Sequence, residues 1–278
     1  MGTFPLLDGA LDFLWNGVWE AVAFFLDSSL GYQQLESMDN LLFMNDGVYA
    51  DFWTLVSKVY DLVVPFGFAF ITTYFLIHMF DIASKEQMSV ESIGRAMIGL
   101  VITVAIAGNL TTIINTSLSI GESLSAKAQA VLMTDFEDQT NDVIEKLQEE
   151  NPGAKVLGVF VESLIVWLIH QIAVIVVDLA FCQRMLELGW RAAFAPIGIA
   201  NAFDGGANSS AVRYLKSFLA VALSGVAIYL VAVLGLKLSI GLFTSDLAGN
   251  MWLSAAALLG ASITAMGAAT KTKEIVGA

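Results

Sequence analysis

Long apolar runs, each about the length of a membrane-spanning helix, alternate along the chain with shorter polar segments. Runs of about 20 predominantly apolar residues with few charges are typical of transmembrane helices. The pattern predicts an all-α, polytopic helical membrane protein, and it places five spans at about 57–80, 95–118, 156–181, 217–243 and 250–270.

In the N-terminal segment, polar and apolar residues alternate with the period of a helix and do not form a uniformly apolar run. Asp8, Asp12, Asn16 and Glu20 recur at four-residue spacing, and large apolar residues fill the other positions. This periodicity predicts an amphipathic helix over 5–30. Its polar face is acidic, whereas helices that bind anionic lipid usually have a basic one. We expect it to lie at the membrane surface or against a neighbouring subunit, with a true first span as the alternative.

Polar segments divide the chain into four parts. An external helix and linker over 1–51, in which 31–51 is the linker, precede a pair of spans over 52–120. An acidic loop over 121–155 follows, with eight carboxylates against three lysines, and is expected to form two short helices. Residues 156–278 hold the last three spans, with a basic segment at 182–216 between them.

Half of the basic segment is as apolar as a transmembrane helix, yet the segment contains helix-breaking residues. Pro196 and the Gly205-Gly206 pair predict a break and a turn, and thus a re-entrant or broken helix at about 188–203. Ser209 or Ser210 is expected to cap the helix that follows. Its cations are Arg184, Arg191, Arg213 and Lys216.

Cation placement predicts the orientation of the spans, because Lys and Arg in short loops mark the cytoplasmic side. The basic segment, the loop 81–95 and the tail with Lys271 and Lys273 fall on one side of a five-span protein. The acidic loop and the cation-free N-terminus fall on the other. We therefore expect an external N-terminus and a cytoplasmic C-terminus.

Composition supports a membrane protein and narrows its partners. Hydrophobic residues make up 57% of the chain and charged residues 14%, where soluble domains carry about 25% charged residues. Eight carboxylates and no cation precede Lys58, which argues against nucleic-acid binding by the N-terminal segment and against a cleavable signal peptide. Cys182 is the single cysteine, so an intrachain disulfide is excluded.

Small residues recur at four-residue spacing in two of the predicted spans. In lipid, such positions let helix backbones approach closely. The pattern favours helix packing within or between subunits, although Gly and Ala are also simply common in spans. The two sets are Gly99, Thr103, Ala107 and Thr111 in the second span, and Ala256, Gly260, Thr264 and Ala268 in the last.

The third span is unusually polar, with Glu162, His170, Gln171 and Asp178. Ionisable groups in spans are costly and are candidates for function, here a proton or cation path. The alternative is that Asp178 pairs with Arg184 and that His170 and Gln171 bond across a subunit interface. Neither a phosphate-binding glycine motif nor a zinc-ligand pattern is present. We expect no enzymatic activity, no metal and no cofactor.

Residues 184–230 resemble the TrbL-type family of conjugation proteins, the polytopic inner-membrane subunits of type IV secretion systems that include the sixth VirB subunit. Arg191, Ala195 and Pro196, the Gly205-Gly206 turn, Ser209-Ser210 and "RYLKSFLA" carry the resemblance. The chain is similar to the compact members found in conjugative elements of Gram-positive bacteria.

The resemblance implies a non-enzymatic channel or scaffold subunit that helps single-stranded DNA or protein cross the cytoplasmic membrane. It implies a homo-oligomer in the lipid bilayer that assembles with other membrane subunits and the ATPases of the system. Arg184, Arg191, Arg213 and Lys216 would then contact a cytoplasmic partner, lipid phosphates or the passing DNA strand, or would only fix topology and reach the headgroups. A small-molecule or ion transporter that uses the polar third span is the alternative function. A holin-like or immunity-type membrane protein has no positive sign in the sequence.

Overall fold

The structure is a computed structural model. It describes residues 5–30, 48–84, 89–132, 145–149, 155–201, 209–245 and 251–277, and over these ranges the chain is helical apart from short turns and contains no strand. Residues 145–149 form one short helical segment. The longer helices are α1 (Pro5–Leu30), α2 (Val48–Ser84), α3 (Val90–Gly108), α4 (Leu110–Leu132), α5 (Val156–Gly198), α6 (Ser210–Ser245), α7 (Met251–Met266) and α8 (Ala268–Val276).

Four stretches of the described chain are long and apolar enough to cross a membrane, and a fifth is obtained if α7 and α8 are counted as one bent span. The architecture is therefore that of a polytopic all-helical membrane protein, as the hydrophobic pattern predicts. Helix α5 has 43 residues, about 65 Å at 1.5 Å per residue, roughly twice the thickness of a hydrocarbon layer. The four stretches are Asp51–Ser84, Val90–Gly108, Val156–Gly198 and Ser210–Leu242.

Among the first two helices, the start of α2 departs from the sequence prediction. Helix α1 has the predicted bounds, but α2 begins at Val48, within the predicted linker. Asp51 lies in the first turn of α2, where a carboxylate is stabilised by the unpaired N–H groups of the helix start. The rest of that linker, 31–47, lies outside the described residues. Helix α2 continues through Pro65 and packs against α3.

The predicted second span, 95–118, is interrupted rather than continuous. Helix α3 ends at Gly108, and α4 starts at Leu110 and runs through 121–132, part of the predicted acidic loop. The side-chain amide of Asn109 donates to the carbonyl oxygen of Ala105 at 2.9 Å. An asparagine that bonds nearby backbone in this way competes with helix continuation, and its own carbonyl accepts the first bond of α4, from the N–H of Ile113.

The basic segment contains the largest correction. No separate re-entrant helix begins near 188, because α5 extends the third span without interruption to Gly198. Pro196 is the third residue from the C-terminal end of α5. Proline lacks the backbone N–H that a helix interior needs, but here only two helical residues come after it. Residues 199–201 form a turn, and the predicted Gly205-Gly206 turn lies outside the described residues.

The predicted last span, 250–270, also divides into two helices. Gly267 forms a turn between α7 and α8, and its N–H donates to the carbonyl oxygen of Thr264 at 3.1 Å. Glycine is a poor helix former, which accounts for a break at this position.

The chain divides into two compact units. One contains α1, α7, residues 156–180 of α5 and residues 228–245 of α6. In it, the ring of Phe25 on α1 packs against Phe160 and Trp167 of α5, with centroid distances of 5.8 and 5.4 Å. The hydroxyls of Ser239 on α6 and Ser254 on α7 lie 2.5 Å apart in a buried contact.

The other unit contains α2, α3, residues 110–125 of α4, residues 181–198 of α5, residues 210–227 of α6, and α8. Its core is a cluster of buried apolar residues contributed by four helices. Val56 on α2, Leu110 on α4, Leu188 on α5 and Phe218 on α6 are among its members. The basic segment therefore supplies core residues of a packed helical unit.

Candidate functional site

The first polar feature of the second unit is a buried arginine. Arg184 on α5 is 3% exposed, and its guanidinium donates a hydrogen bond of 3.0 Å to the carbonyl oxygen of Ala222 on α6. A buried charge is stable only when it is hydrogen-bonded or paired. Arg184 is therefore part of the interior, and the prediction that it contacts a cytoplasmic partner or substrate does not fit its burial.

Two glycines lie beside the Arg184 side chain and the carbonyl oxygen that it binds. A Cβ atom built on Gly225 of α6 would lie 2.5 Å from Cζ and 2.7 Å from Nε of Arg184. One built on Gly121 of α4 would lie 2.9 Å from the carbonyl oxygen of Ala222, the same oxygen that accepts the Arg184 bond. Any larger residue at Gly225 would meet the guanidinium, so the position of the Arg184 side chain depends on a glycine at 225.

Toward the C-terminal end of α5, a second arginine belongs to a partly buried polar cluster. Arg191 donates to Oε1 of Glu187 from Nε at 3.0 Å and from Nη2 at 2.8 Å, and to the hydroxyl of Ser217 on α6 from Nη1 at 2.8 Å. Lys273 on α8 donates to the same Glu187 oxygen at 2.7 Å. We call these four residues the Glu187 cluster. Its three charged side chains are between 20% and 28% exposed.

A tyrosine joins the same two helices beside the cluster. The hydroxyl of Tyr214 on α6 donates to the backbone carbonyl of Arg191. Its ring covers Gly198, where a Cβ atom would lie 2.5 Å from Cε2. Pro196 is buried against α2, since a Cβ atom on Gly67 would lie 2.5 Å from the proline Cβ. The residues that end α5 are thus fixed by α6 and α2.

The remaining predicted cations of the segment are accessible. Arg213 and Lys216 lie in the first two turns of α6 and both are exposed. Ser209 accepts a hydrogen bond from the N–H of Val212 at 3.2 Å, so the predicted N-cap of this helix is confirmed at Ser209. Of the four cations, the structure buries Arg184, holds Arg191 in the Glu187 cluster, and leaves Arg213 and Lys216 open to a partner.

The polar residues of the predicted third span lie on the part of α5 that belongs to the first unit, the one that contains α1 and α7. His170 is 3% exposed, whereas Glu162, Gln171 and Asp178 are half-buried. One carboxylate oxygen of Asp178, Oδ1, is shielded from solvent and has no hydrogen-bond partner within the described part of the chain. These four polar residues therefore all lie on one helix, α5.

The two sets of small residues that predict helix packing differ in burial. Thr103 on α3 is fully buried, its hydroxyl donates to the carbonyl oxygen of Gly99 at 2.9 Å, and Ala107 packs on the core of the second unit. On α7 the predicted stripe is open: Ala256, Gly260 and Thr264 are exposed, and no atom lies within 4 Å of a Cβ position on Gly260.

A different face of α7 packs against α6. A Cβ atom on Gly235 of α6 would lie 2.2 Å from that of Ala261, and Ser254, Ser262 and Ala265 are buried. Within the chain, α7 therefore packs through a face other than the predicted one, and packing of Ala256, Gly260 and Thr264 between subunits stays a prediction. Ala268, the fourth member of the predicted stripe, is buried at the start of α8.

Sequence reasoning missed the partners that complete the arginine contacts. Glu187 stands four residues before Arg191, the spacing at which opposite charges meet on a helix, so this pair was detectable. Ser217 and Lys273 lie 26 and 86 residues from their partners. No local pattern identifies contacts of that kind.

The polar groups that the described residues bring together are hydrogen-bonded cations, a carboxylate and hydroxyls. Among them, no group of three or more His, Cys, Asp or Glu side chains is placed to hold a metal ion. Comparison of the chain with protein-family models, curated proteins and solved structures gives no match.

Proposed function

We propose that this protein is a non-enzymatic channel or scaffold subunit of a type IV secretion (conjugation) system, which helps single-stranded DNA or protein cross the bacterial cytoplasmic membrane. The proposal starts from the resemblance of residues 184–230 to TrbL-type proteins. It requires a polytopic membrane protein, and the described chain has four to five helices able to span a membrane.

One observation carries the proposal furthest. Arg191, Pro196, Tyr214 and Ser217, which belong to the resembling segment, all take part in contacts that join α5 to α6 or to α2. They lie in one compact unit rather than scattered over the chain. A segment whose motif residues make its helix contacts is expected to serve as a rigid framework for assembly.

The partners follow from the same proposal. The protein forms a homo-oligomer in the bilayer and assembles with other membrane subunits and the ATPases of the system. Arg213 and Lys216 are the cations of the segment that are exposed, so they are the candidates for contact with a cytoplasmic partner, lipid phosphates or the translocating strand. We also propose that the N-terminus is external and that the C-terminus lies in the cytoplasm.

Deletion of the gene in its native conjugative element tests the function. We expect transfer to fall to background and to return with the wild-type gene. Complementation with Arg213→Ala plus Lys216→Ala should give normal protein in the membrane but reduced transfer. A matched control, Lys271→Ala plus Glu274→Ala, removes an exposed ion pair elsewhere and should restore transfer fully. Unchanged transfer after deletion would reject the secretion function.

A specific observation favours a second function, a small-molecule or ion transporter. Asp178 lies in a candidate span and has a shielded carboxylate oxygen without a hydrogen-bond partner in the described chain, and such groups mark ion or proton pathways. Purified protein in liposomes would then show proton-coupled or cation flux that Asp178→Asn abolishes. Absence of flux for a panel of cations, together with loss of transfer on deletion, would decide against this alternative.

A further inference from the structure

In the second unit, a charged side chain of the C-terminal helix α8 contacts α5. Lys273 donates a 2.7 Å hydrogen bond to Oε1 of Glu187, 86 residues earlier in the sequence. Both side chains are about three-quarters buried, with 28% and 23% exposed. By contrast, Lys271 on the same helix is 74% exposed and pairs only within α8, with Glu274 at 3.2 Å.

Little apolar surface holds α8 in place besides this pair. Among its described side chains, the buried ones are Ala268 and Thr272, both small, while Val276 is half-buried and Ile275 is 85% exposed. The Thr272 hydroxyl donates within α8, to the carbonyl oxygen of Ala268 at 2.7 Å. Hydrophobic stabilisation grows with the apolar area removed from water, so two small side chains and a half-buried valine contribute little. The ion pair is accordingly a large share of what docks the helix.

Helix α8 depends on this docking for its own conformation. It has nine residues, and isolated helices shorter than about 12–15 residues are marginal in water. Gly267 precedes it as a turn, and Gly277 follows it with a positive φ of 69°. Undocking and loss of helical structure should therefore occur together, as one local opening.

We propose that α8 is a releasable C-terminal latch, closed when Lys273 reaches Glu187 and opened by anything that competes for either charge. Glu187 remains paired with Arg191 when the latch opens, because both residues lie on α5 and their two hydrogen bonds do not involve α8. Opening therefore frees the tail without leaving a buried carboxylate unpaired. The latch depends only on contacts within this chain, so it would operate in a secretion subunit and in a transporter alike.

Hydrogen exchange of the full-length protein in detergent micelles tests the latch. The tail amides of 272–276 should be protected in the wild type, and Lys273→Met should speed their exchange by about three- to tenfold, the range expected for losing a partly buried, charged hydrogen bond. Lys273→Arg keeps the charge and should retain most of the protection. Raising salt from about 0.1 M to about 1 M should speed exchange in the wild type and much less in Lys273→Met, because salt screens the pair.

Lys271→Met is the matched control on the same helix. It removes only an exposed pair within α8, so we expect a change of about twofold or less. The latch is rejected if Lys273→Met leaves tail exchange at the wild-type rate, or if Lys271→Met and Lys273→Met accelerate it equally. Unprotected tail amides in the wild type would also reject it.

Discussion

The guanidinium of Arg184 occupies the space above Gly225, and donates at 3.0 Å to the carbonyl oxygen of Ala222 one turn earlier on the same helix. A charged group that is 3% exposed thus replaces a packed side chain between α5 and α6. Arginine suits such a position, because its planar fork offers several donors and is less strongly hydrated than an ammonium group. This contact makes the basic segment part of the fold.

Replacing the buried arginine should destabilise the protein strongly. Arg184→Met keeps an unbranched side chain but removes the guanidinium and its bond to the Ala222 carbonyl, and we expect a loss of about 1–3 kcal/mol in the free energy of unfolding, the cost of a buried acceptor that loses its donor. The control Arg213→Met removes an exposed cation and should stay within about 0.5 kcal/mol of wild type. Unfolding followed by tryptophan fluorescence in mixed micelles measures both. Equal stability of the two variants would show that Arg184 contributes no more than a surface cation.

A methyl group at position 225 should destabilise the protein, because it would meet the Arg184 side chain. Gly225→Ala places Cβ 2.5 Å from Cζ of the arginine, and the resulting overpacking should cost about 1–3 kcal/mol. On the same helix, Gly241→Ala meets no atom within 4 Å and should change stability by no more than about 1 kcal/mol, in either direction.

The two substitutions together isolate the contact between them. Once Arg184→Met has removed the guanidinium, Gly225→Ala should cost clearly less than it does in the wild type, because residues in contact are not additive. A full double-mutant cycle on the four proteins gives the coupling. Strict additivity would mean that Gly225 is needed for some reason other than room for Arg184.

Local signals predicted several elements correctly for identifiable reasons. The four-residue spacing of Asp8 to Glu20 marks α1, whose bounds match the prediction. Ser209 caps α6 because its hydroxyl lies three residues before the N–H of Val212. Apolar runs of membrane length predicted the helical class, since each run alone is sufficient to require a helix in lipid.

Other features depend on information that no local window contains. The break at Asn109 is an exception, because the run becomes rich in Asn, Thr and Ser from that residue onward. Pro196 and the cations of the basic segment suggested an interruption, yet the helix continues to Gly198, because the cations are accommodated by Glu187, Ser217 and the backbone of α6. The burial of Arg184 depends on glycines that are distant in sequence.

The end of α5 should tolerate loss of a hydrogen bond better than a steric clash. Tyr214→Phe removes the bond to the Arg191 carbonyl but keeps the ring over Gly198, and should cost about 1 kcal/mol. Gly198→Ala drives Cβ to 2.5 Å from Cε2 of that ring and should cost about 1–3 kcal/mol. Gly158→Ala, near the other end of α5, meets no atom within 4 Å and serves as the control. The order is contradicted if Gly198→Ala unfolds at the wild-type midpoint.

The orientation of the spans can be tested without reference to function. In a Cys182→Ser background, which removes the single, exposed cysteine, Thr140→Cys should react with an impermeant maleimide in intact cells. Ala207→Cys should react only after the membrane is opened, because cations cluster on the cytoplasmic side. Both variants must label fully in detergent, which controls for reactivity. Equal labelling in intact cells, or the reverse order, would show that the cation distribution does not set the topology and that the proposed external N-terminus is wrong.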